Sequence, residues 1–276
     1  MTAGQALILG LVQGLTEFLP ISSIAHLRVV PSLVGWPDPG AAFSAVIQLG
    51  TLAAVLVYFA NDMRTMGRAV LRGLADGRPW ARHEARLAWF ILIGTIPIAV
   101  CGVAFKGYIV GEWRSLYVIS GSLIVLGILL WVAEKTAAFR REVKHIGWVD
   151  SQLIGLAQAL ALIPGSSRSG TTMTAAMFLG LTREAAARFS FLLGIPAIGA
   201  AGLFEFRDLL KHGVGDAGLS SLMIATLISA VSGYLAIDLL LRYLRTRTTL
   251  VFVWYRIGLG LLLLLLLAAG VLQPLG

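Results

Sequence analysis

The sequence predicts an all-α polytopic membrane protein made of two inverted-topology repeats, each with a broken re-entrant helical hairpin and three transmembrane helices. Of the 276 residues, 58% are hydrophobic, and the mean hydropathy is +0.85, which excludes an ordinary soluble globular protein. Apolar stretches of about 20 residues, long enough for a helix to cross a bilayer, recur along the chain. Two polar-interrupted regions also resemble each other, which indicates an internal repeat.

Six uninterrupted apolar stretches are predicted to cross the membrane as full-length helices. They cover residues 41–60, 87–106, 115–134, 185–206, 219–241 and 251–272. The formal net charge of +8 comes mostly from the loops between these stretches, where basic residues report orientation. We therefore expect no nucleic-acid binding.

Two further regions, residues 5–34 and 148–181, are interrupted near their middle by Pro and Ser. Each is predicted to form two half-length helices joined by a polar turn. Broken helices persist at membrane depth only where protein or water satisfies the freed backbone groups, so we interpret both as re-entrant hairpins. The alternative is a pair of ordinary kinked spans.

The two broken regions also align with each other. Residues 11–19, LVQGLTEFL, match residues 156–163, LAQALALI, if one residue is dropped, and PISS at 20–23 then falls on PGSS at 164–167. A repeat of this kind indicates a duplicated half. The chain is thus predicted to be one integral membrane domain, 1–276, with repeats at about 1–140 and 141–276.

Loop charges predict how the halves are related. Basic residues concentrate in the loops 61–86 and 135–147 and after the fifth span, so the positive-inside rule predicts that all three loops are cytoplasmic. With hairpins that return to their own side, three spans separate corresponding points of the halves, and the repeat is inverted. The first tip (20–23) and the second tip (164–167) are then expected to meet near the midplane.

The first broken region carries groups suited to phosphate-bond cleavage. A charge at membrane depth costs several kcal/mol unless it is paired, which makes Glu17 a functional-site candidate, with Gln13 on the same helical face. Ser23 is a candidate nucleophile or phosphate-orienting hydroxyl, and His26 a candidate acid or base. Glu17 could orient His26, act as a base itself, or hold a divalent cation. The structural alternative is that Ser22 and Ser23 cap a helix and that His26 satisfies a carbonyl.

The second broken region contains IPGSSRSGTT at 163–172, a sequence suited to an anion. Its glycines allow close backbone approach, its hydroxyls can donate, and the helix that follows presents N-terminal amides. Arg168 adds a planar fork for phosphate and is the expected partner of Glu17. The alternative is a flexible turn in which Arg168 and Glu17 form a purely structural pair. The predicted phosphate-binding residues are Gly165, Ser166, Ser167, Arg168, Ser169 and Thr172.

The motifs QGLTEFLPISS-x-x-H at 13–26 and PGSSRSGTT at 164–172 resemble the two signature motifs of the bacterial undecaprenyl-diphosphatase family, also known as bacitracin-resistance proteins. The resemblance covers essentially the whole chain, including FSAVIQLG at 43–50 and TREAAARFS at 182–190. It implies hydrolysis of undecaprenyl diphosphate, or of similar polyprenyl diphosphates, to the monophosphate carrier used in cell-wall synthesis.

The resemblance further implies a bacterial inner-membrane protein among membrane lipids, with an active site open to the periplasm, a divalent cation (Mg²⁺ or Ca²⁺), and bacitracin as a competitor for the substrate. Carried over by position, Glu17 and His26 are catalytic and Ser23 is the hydroxyl of the first motif. Glu17 is also the expected cation ligand, together with substrate phosphate oxygens. The expected phosphate binders of the second motif are Ser167, Arg168 and Thr172.

Two glutamines qualify this assignment. Gln13 stands where many relatives carry a first Glu, and it cannot act as a base, which argues against a mechanism that needs two carboxylates here. Gln48 aligns with a family motif and is expected either to line the cavity or to make a helix-packing contact. The resemblance leaves open whether a serine, the histidine or an activated water attacks phosphorus.

The main alternative function is a transporter or lipid flippase, since inverted repeats with broken helices at the midplane are typical of transporters. Such a protein has less need for Glu and His together. A purely structural membrane protein would leave the buried polar groups unexplained. The sequence leaves the oligomeric state open, a homodimer included.

Overall fold

The computed structural model describes residues 1–212 and 218–274, and within these residues all regular elements are helices. Predicted and observed fold class agree at this level. In chain order the α-helices are α1 (Ala3–Phe18), α2 (Ser23–Val34), α3 (Gly40–Tyr58), α4 (Ala60–Ala75), α5 (His83–Gly94), α6 (Ile96–Ala104), α7 (Lys106–Val110), α8 (Leu116–Thr136), α9 (Trp148–Ala159), α10 (Arg168–Phe178), α11 (Arg183–His212), α12 (Leu219–Thr246) and α13 (Leu250–Ala268).

Most predicted spans correspond to long apolar helices. Five stretches of the described residues are long and apolar enough to cross a membrane, and a sixth is added if α3 and α4 form one bent span. The five are α5 with α6, α8, most of α11, α12 and α13. The chain is therefore a multi-pass membrane protein.

Residues 61–86 were predicted to form a loop, but their first part is helical and forms α4. This helix leaves the direction of α3 at an angle of 75°. Its buried residues Met66, Ala69 and Gly73 recur at helical spacing and form a narrow inward face, while its arginines point outward. The arginine run obscured this periodicity in the sequence.

Both broken regions consist of two short helices, as predicted. In the first region α1 contacts α2, and in the second α9 contacts α10. Each of these four helices is shorter than a full span, which needs about 20 residues. Pro20 follows the end of α1, where it cannot continue the helix. The second helix of each pair is capped by a serine with left-handed backbone, Ser22 (φ 74°) or Ser167 (φ 68°).

These two caps correct the sequence alignment by one position. The alignment placed Ser22 on Ser166, whereas the structure gives the matching backbone and the matching cap to Ser22 and Ser167. The Ser22 hydroxyl accepts from the Ala25 amide, and the Ser167 hydroxyl accepts from the Gly170 amide. The turn after Pro164 is one residue longer than the turn after Pro20, which accounts for the shift.

Small residues let α12 approach both α1 and α3. A Cβ atom added to Gly14 would lie 2.6 Å from the Ser229 carbonyl oxygen, and one added to Gly50 would lie 2.1 Å from that of Thr226. The Ser229 hydroxyl fills the junction by donating to the Ile47 carbonyl at 2.7 Å. Such contacts are typical of helix packing in membranes, and here they fix the helix that carries Glu17.

We expect Gly50→Ala to destabilise the fold, because its new methyl group would overlap the α12 backbone and force α3 away. Overpacking of this kind costs about 1–3 kcal/mol, and it should lower the melting temperature of the purified protein in detergent. The matched control is Gly121→Ala in α8, where an added Cβ meets nothing within 4 Å. The control should melt at the same temperature or higher, and equal melting of both variants would contradict this packing.

Candidate active site

Glu17 is the centre of a buried polar cluster. Its Oε2 atom accepts hydrogen bonds from Gln13 Nε2 at 3.0 Å and from Ser23 Oγ at 2.6 Å. Its Oε1 atom lies 3.2 Å from Arg168 Nη2. The predicted pairing of Glu17 with Arg168 is therefore present, and the carboxylate is satisfied by one cation and two neutral donors.

Local backbone structure brings these groups together. Glu17 lies in the last turn of α1, the chain then turns at Pro20, and Ser23 is the first residue of α2. Arg168 is likewise the first residue of α10, directly after its own capping serine. The two side chains that reach Glu17 from outside α1 thus occupy corresponding positions in the two broken pairs.

A groove on α11 receives the Arg168 side chain. Arg168 Nη1 donates to the Ser190 carbonyl at 3.3 Å. A Cβ atom on Gly194 would lie only 1.6 Å from the same nitrogen, so the groove exists because residue 194 has no side chain. The guanidinium, with 10% of its side chain exposed, is held between Glu17 and α11.

Ser169 joins the second broken pair to the first. Its hydroxyl donates to the Leu19 carbonyl at 2.9 Å and lies 3.4 Å from the Glu17 carbonyl. It is also 3.2 Å from the Ser167 hydroxyl. Its observed contacts hold the two turns against each other, and phosphate binding by Ser169 stays a prediction.

Of the other residues of the second motif, two make packing contacts and one has a hydroxyl without a partner among the described residues. Thr172 is fully buried, and its hydroxyl contacts the Arg168 carbonyl at 2.7 Å and the Ser190 hydroxyl at 2.6 Å. Gly165 has φ 91°, and a Cβ there would meet the Ile119 carbonyl at 2.6 Å, so this glycine serves the contact with α8. The Ser166 hydroxyl is buried and has no partner among the described residues.

His26 lies one turn into α2, and its ring is held at both nitrogens. Nδ1 is 2.7 Å from the Ser22 carbonyl oxygen, and Nε2 is 2.6 Å from the Tyr255 hydroxyl. Among the options raised for Glu17 was that it orients His26. The hydrogen bonds of the described residues give that task to Ser22 and Tyr255 instead.

Arg256, the neighbour of Tyr255 in α13, is not among the residues predicted from the sequence. Arg256 is fully buried and forms no ion pair with a described carboxylate. It donates to the Pro20 carbonyl of the first tip at 3.1 Å and to the Ser166 carbonyl of the second tip at 2.9 Å. The sequence contained the necessary signal, an arginine inside the predicted span 251–272, where a charge is costly.

The remaining predicted residues are the two glutamines and the expected oxygen ligands of a divalent cation. Gln13 is fully buried, and its Oε1 atom has no partner among the described residues. Gln48 lies in α3 and takes no part in the hydrogen bonds of this cluster. The described residues contain no group of three or more His, Cys, Asp or Glu able to hold a metal. Glu17 and Gln13 offer hard oxygens suited to Mg²⁺ or Ca²⁺, but a cation here needs further ligands from substrate and water.

Comparison with known proteins supports the motif assignment. Residues 6–262 match the family model described as bacitracin resistance protein BacA. An undecaprenyl-diphosphatase of Myxococcus xanthus (strain DK1622) is 58% identical over 274 residues, covering 99% of this chain and 92% of the relative. An undecaprenyl-diphosphatase of Chlorobium phaeovibrioides (strain DSM 265 / 1930) is 54% identical over 284 residues, covering 99% of this chain and all of the relative. The chain therefore belongs to the BacA family of bacitracin resistance proteins.

Proposed function

We propose that this protein hydrolyses undecaprenyl diphosphate to undecaprenyl phosphate and inorganic phosphate. The observation that supports this most strongly is the buried cluster in which Ser23 and Arg168 both reach the Glu17 carboxylate. It joins a hydroxyl, a base and a phosphate-binding cation, and the compared relatives bear the name of this hydrolase. The transporter alternative is not favoured, because such a protein needs no hydroxyl held against a carboxylate.

Arg168 supplies the charge that phosphoryl transfer requires. Its planar guanidinium can bind two oxygens of the terminal phosphate once the diphosphate competes with Glu17 for it. Positioning and charge neutralisation account for most of the rate in such reactions. Ser190 and the groove at Gly194 keep the guanidinium in place while this exchange occurs.

The geometry supports Ser23 as the nucleophile. Its hydroxyl already donates to Glu17, which is the arrangement of a nucleophile beside its base. Ser23 Oγ attacks the terminal phosphorus, the bond to the bridging oxygen breaks, undecaprenyl phosphate leaves, and the hydroxyl proton passes to Glu17. His26 takes one proton from the water that then attacks the phosphoserine, the Ser23 oxygen recovers a proton from Glu17, inorganic phosphate leaves, and His26 releases its proton to solvent.

The reaction is proposed to use a divalent cation, Mg²⁺ or Ca²⁺, carried mainly by the substrate. Glu17 and the free Oε1 atom of Gln13 would hold it on the protein side. When bound, it supplies further neutralisation of the phosphate oxygens. Because the described residues hold no preformed metal cluster, the cation and the diphosphate are expected to bind together.

The finer architecture is also a proposal: two inverted repeats in the bacterial inner membrane, with re-entrant hairpins and an active site that opens to the periplasm. The matching caps at Ser22 and Ser167, 145 positions apart, support a repeat. So does the pairing of corresponding spans, since α3 packs on α11 and α8 packs on α13. The orientation rests on the arginines of α4 and the loop that follows it.

The first experiment is phosphate release from undecaprenyl diphosphate by purified protein in detergent, with and without EDTA. We expect EDTA to abolish release, and Glu17→Gln to reduce kcat about 10²–10⁴-fold through loss of the base. Ser23→Ala should be reduced at least as much, because it loses the nucleophile. The control is Glu112→Gln on an exposed turn, which should retain full activity. Substrate bound but not cleaved by the unaltered protein would refute the proposed function.

A second prediction tests whether activity depends on the position of the Arg168 guanidinium as well as on its presence. Gly194→Ala leaves Arg168 intact but places a methyl group in its groove, so the guanidinium must move. We expect about a 10²-fold fall in kcat/KM, similar to the loss of one transition-state donor, and the same from Arg168→Lys, which loses the fork. The matched control is Gly199→Ala in the same helix, where an added Cβ meets only Leu52 at 3.7 Å. A fully active Gly194→Ala protein would show that this groove is unimportant.

A third prediction tests the orientation by labelling of single cysteines in intact cells, in a Cys101→Ala background. Arg72→Cys at the end of α4 should react only after the inner membrane is made permeable. Glu112→Cys, in the loop between α7 and α8, should react from the periplasm. The positive-inside assignment requires these opposite results, and labelling of both positions from one side would overturn it.

A further inference from the structure

Tyr255, in α13, contacts His26 from the second half of the chain. The Tyr255 hydroxyl lies 2.6 Å from His26 Nε2, and the two rings are nearly parallel, with centroids 5.6 Å apart and an interplanar angle of 10°. A hydrogen bond and a ring contact therefore act on the imidazole together. No role is given to this tyrosine by the two motifs, because it lies in the final span.

The contact on the other side of the ring shows which nitrogen carries the proton. The Ser22 carbonyl oxygen, 2.7 Å from Nδ1, can only accept, so Nδ1 carries the hydrogen. In the neutral imidazole Nε2 is then the acceptor, and the Tyr255 hydroxyl donates to it. Ser22 and Tyr255 thus select the same single tautomer from opposite sides.

α13 also has a fixed position relative to the turns. The next residue, Arg256, is bonded to the Pro20 carbonyl on one side and to the Ser166 carbonyl on the other. The phenol is therefore anchored to the same backbone that carries Ser23 and Arg168. His26 is buried, whereas Tyr255 is 45% exposed.

We propose that Tyr255 is a positioning residue of the hydrolysis reaction, which holds His26 in the Nδ1–H tautomer and keeps Nε2 as its proton-accepting atom. This inference rests on the phosphatase function proposed above. Tyr255 acts through His26 and does not bind phosphate. Its loss should therefore lower kcat and leave KM, which depends on Arg168, nearly unchanged.

Tyr255→Phe tests this directly, because it keeps the ring contact and removes only the hydroxyl. The first readout is the ¹⁵N spectrum of histidine-labelled protein, with the His26 signals assigned by their loss in His26→Gln. We expect a single tautomer in the unaltered protein and a mixture in Tyr255→Phe. The matched control is Tyr243→Phe, a tyrosine of α12 whose ring packs on Phe252 at 5.9 Å, and its spectrum should match that of the unaltered protein.

The second readout is turnover. We expect Tyr255→Phe to lower kcat roughly ten-fold, as for the loss of one neutral hydrogen bond, with KM within two-fold of the unaltered value. In a His26→Ala background the same substitution should cause no further loss, because the two residues act as a unit. A merely structural tyrosine would cause equal losses in both backgrounds.

The two readouts decide the inference together. A mixed tautomer with unchanged kcat, or a lower kcat with an unchanged tautomer, overturns it, and so does a loss that adds to that of His26→Ala. The spectrum requires no turnover, so failure of this inference is distinguishable from failure of the phosphatase proposal. The latter would appear as absence of phosphate release from the unaltered protein.

Discussion

A carboxylate buried at membrane depth is the constraint on which the rest of this structure depends. Glu17 must find donors within the protein, and the structure supplies them from three places, namely Gln13 in its own helix, Ser23 after the turn, and Arg168 in the other broken pair. An unbroken α1 would carry Ser23 away from Glu17. The break at Pro20 therefore satisfies the charge, and the same break assembles the site.

Breaking a helix in a membrane exposes carbonyl groups that the helix would otherwise use, and Arg256 shows how this cost is met. Its guanidinium has several donors and is bonded to backbone oxygens beside or within both turns and to the Leu123 carbonyl of α8. Removing it would take a donor away from the Pro20, Gly165 and Ser166 carbonyls. The backbone of both broken pairs thus depends on one residue.

Features could be predicted from the sequence where their energetic cost depends on neighbouring residues or on burial alone. Proline and serine inside apolar runs predicted the two broken pairs, and the cost of an unpaired charge predicted that Glu17 and Arg168 would meet. The sequence was insufficient where a role depends on which distant helix lies alongside. The sequence did not show that α11 brings Ser190 against the Thr172 hydroxyl, whose phosphate contact stays a prediction. Tyr255 was missed for the same reason, since its partner His26 is distant in the chain. The helix α4 was missed because its arginines obscured its periodicity.

The contacts of Glu17 also explain how substrate binding would start the reaction. Before the substrate arrives, Arg168 and Ser23 share one carboxylate, and Arg256 adds a second positive charge with no carboxylate partner among the described residues. The site therefore favours an anion. In the proposed reaction, the diphosphate draws Arg168 away from Glu17 Oε1, which becomes free for the divalent cation, while Oε2 keeps the Ser23 hydroxyl as a close partner. The event that would place phosphorus near Ser23 is then the same event that changes the partners of its proposed base.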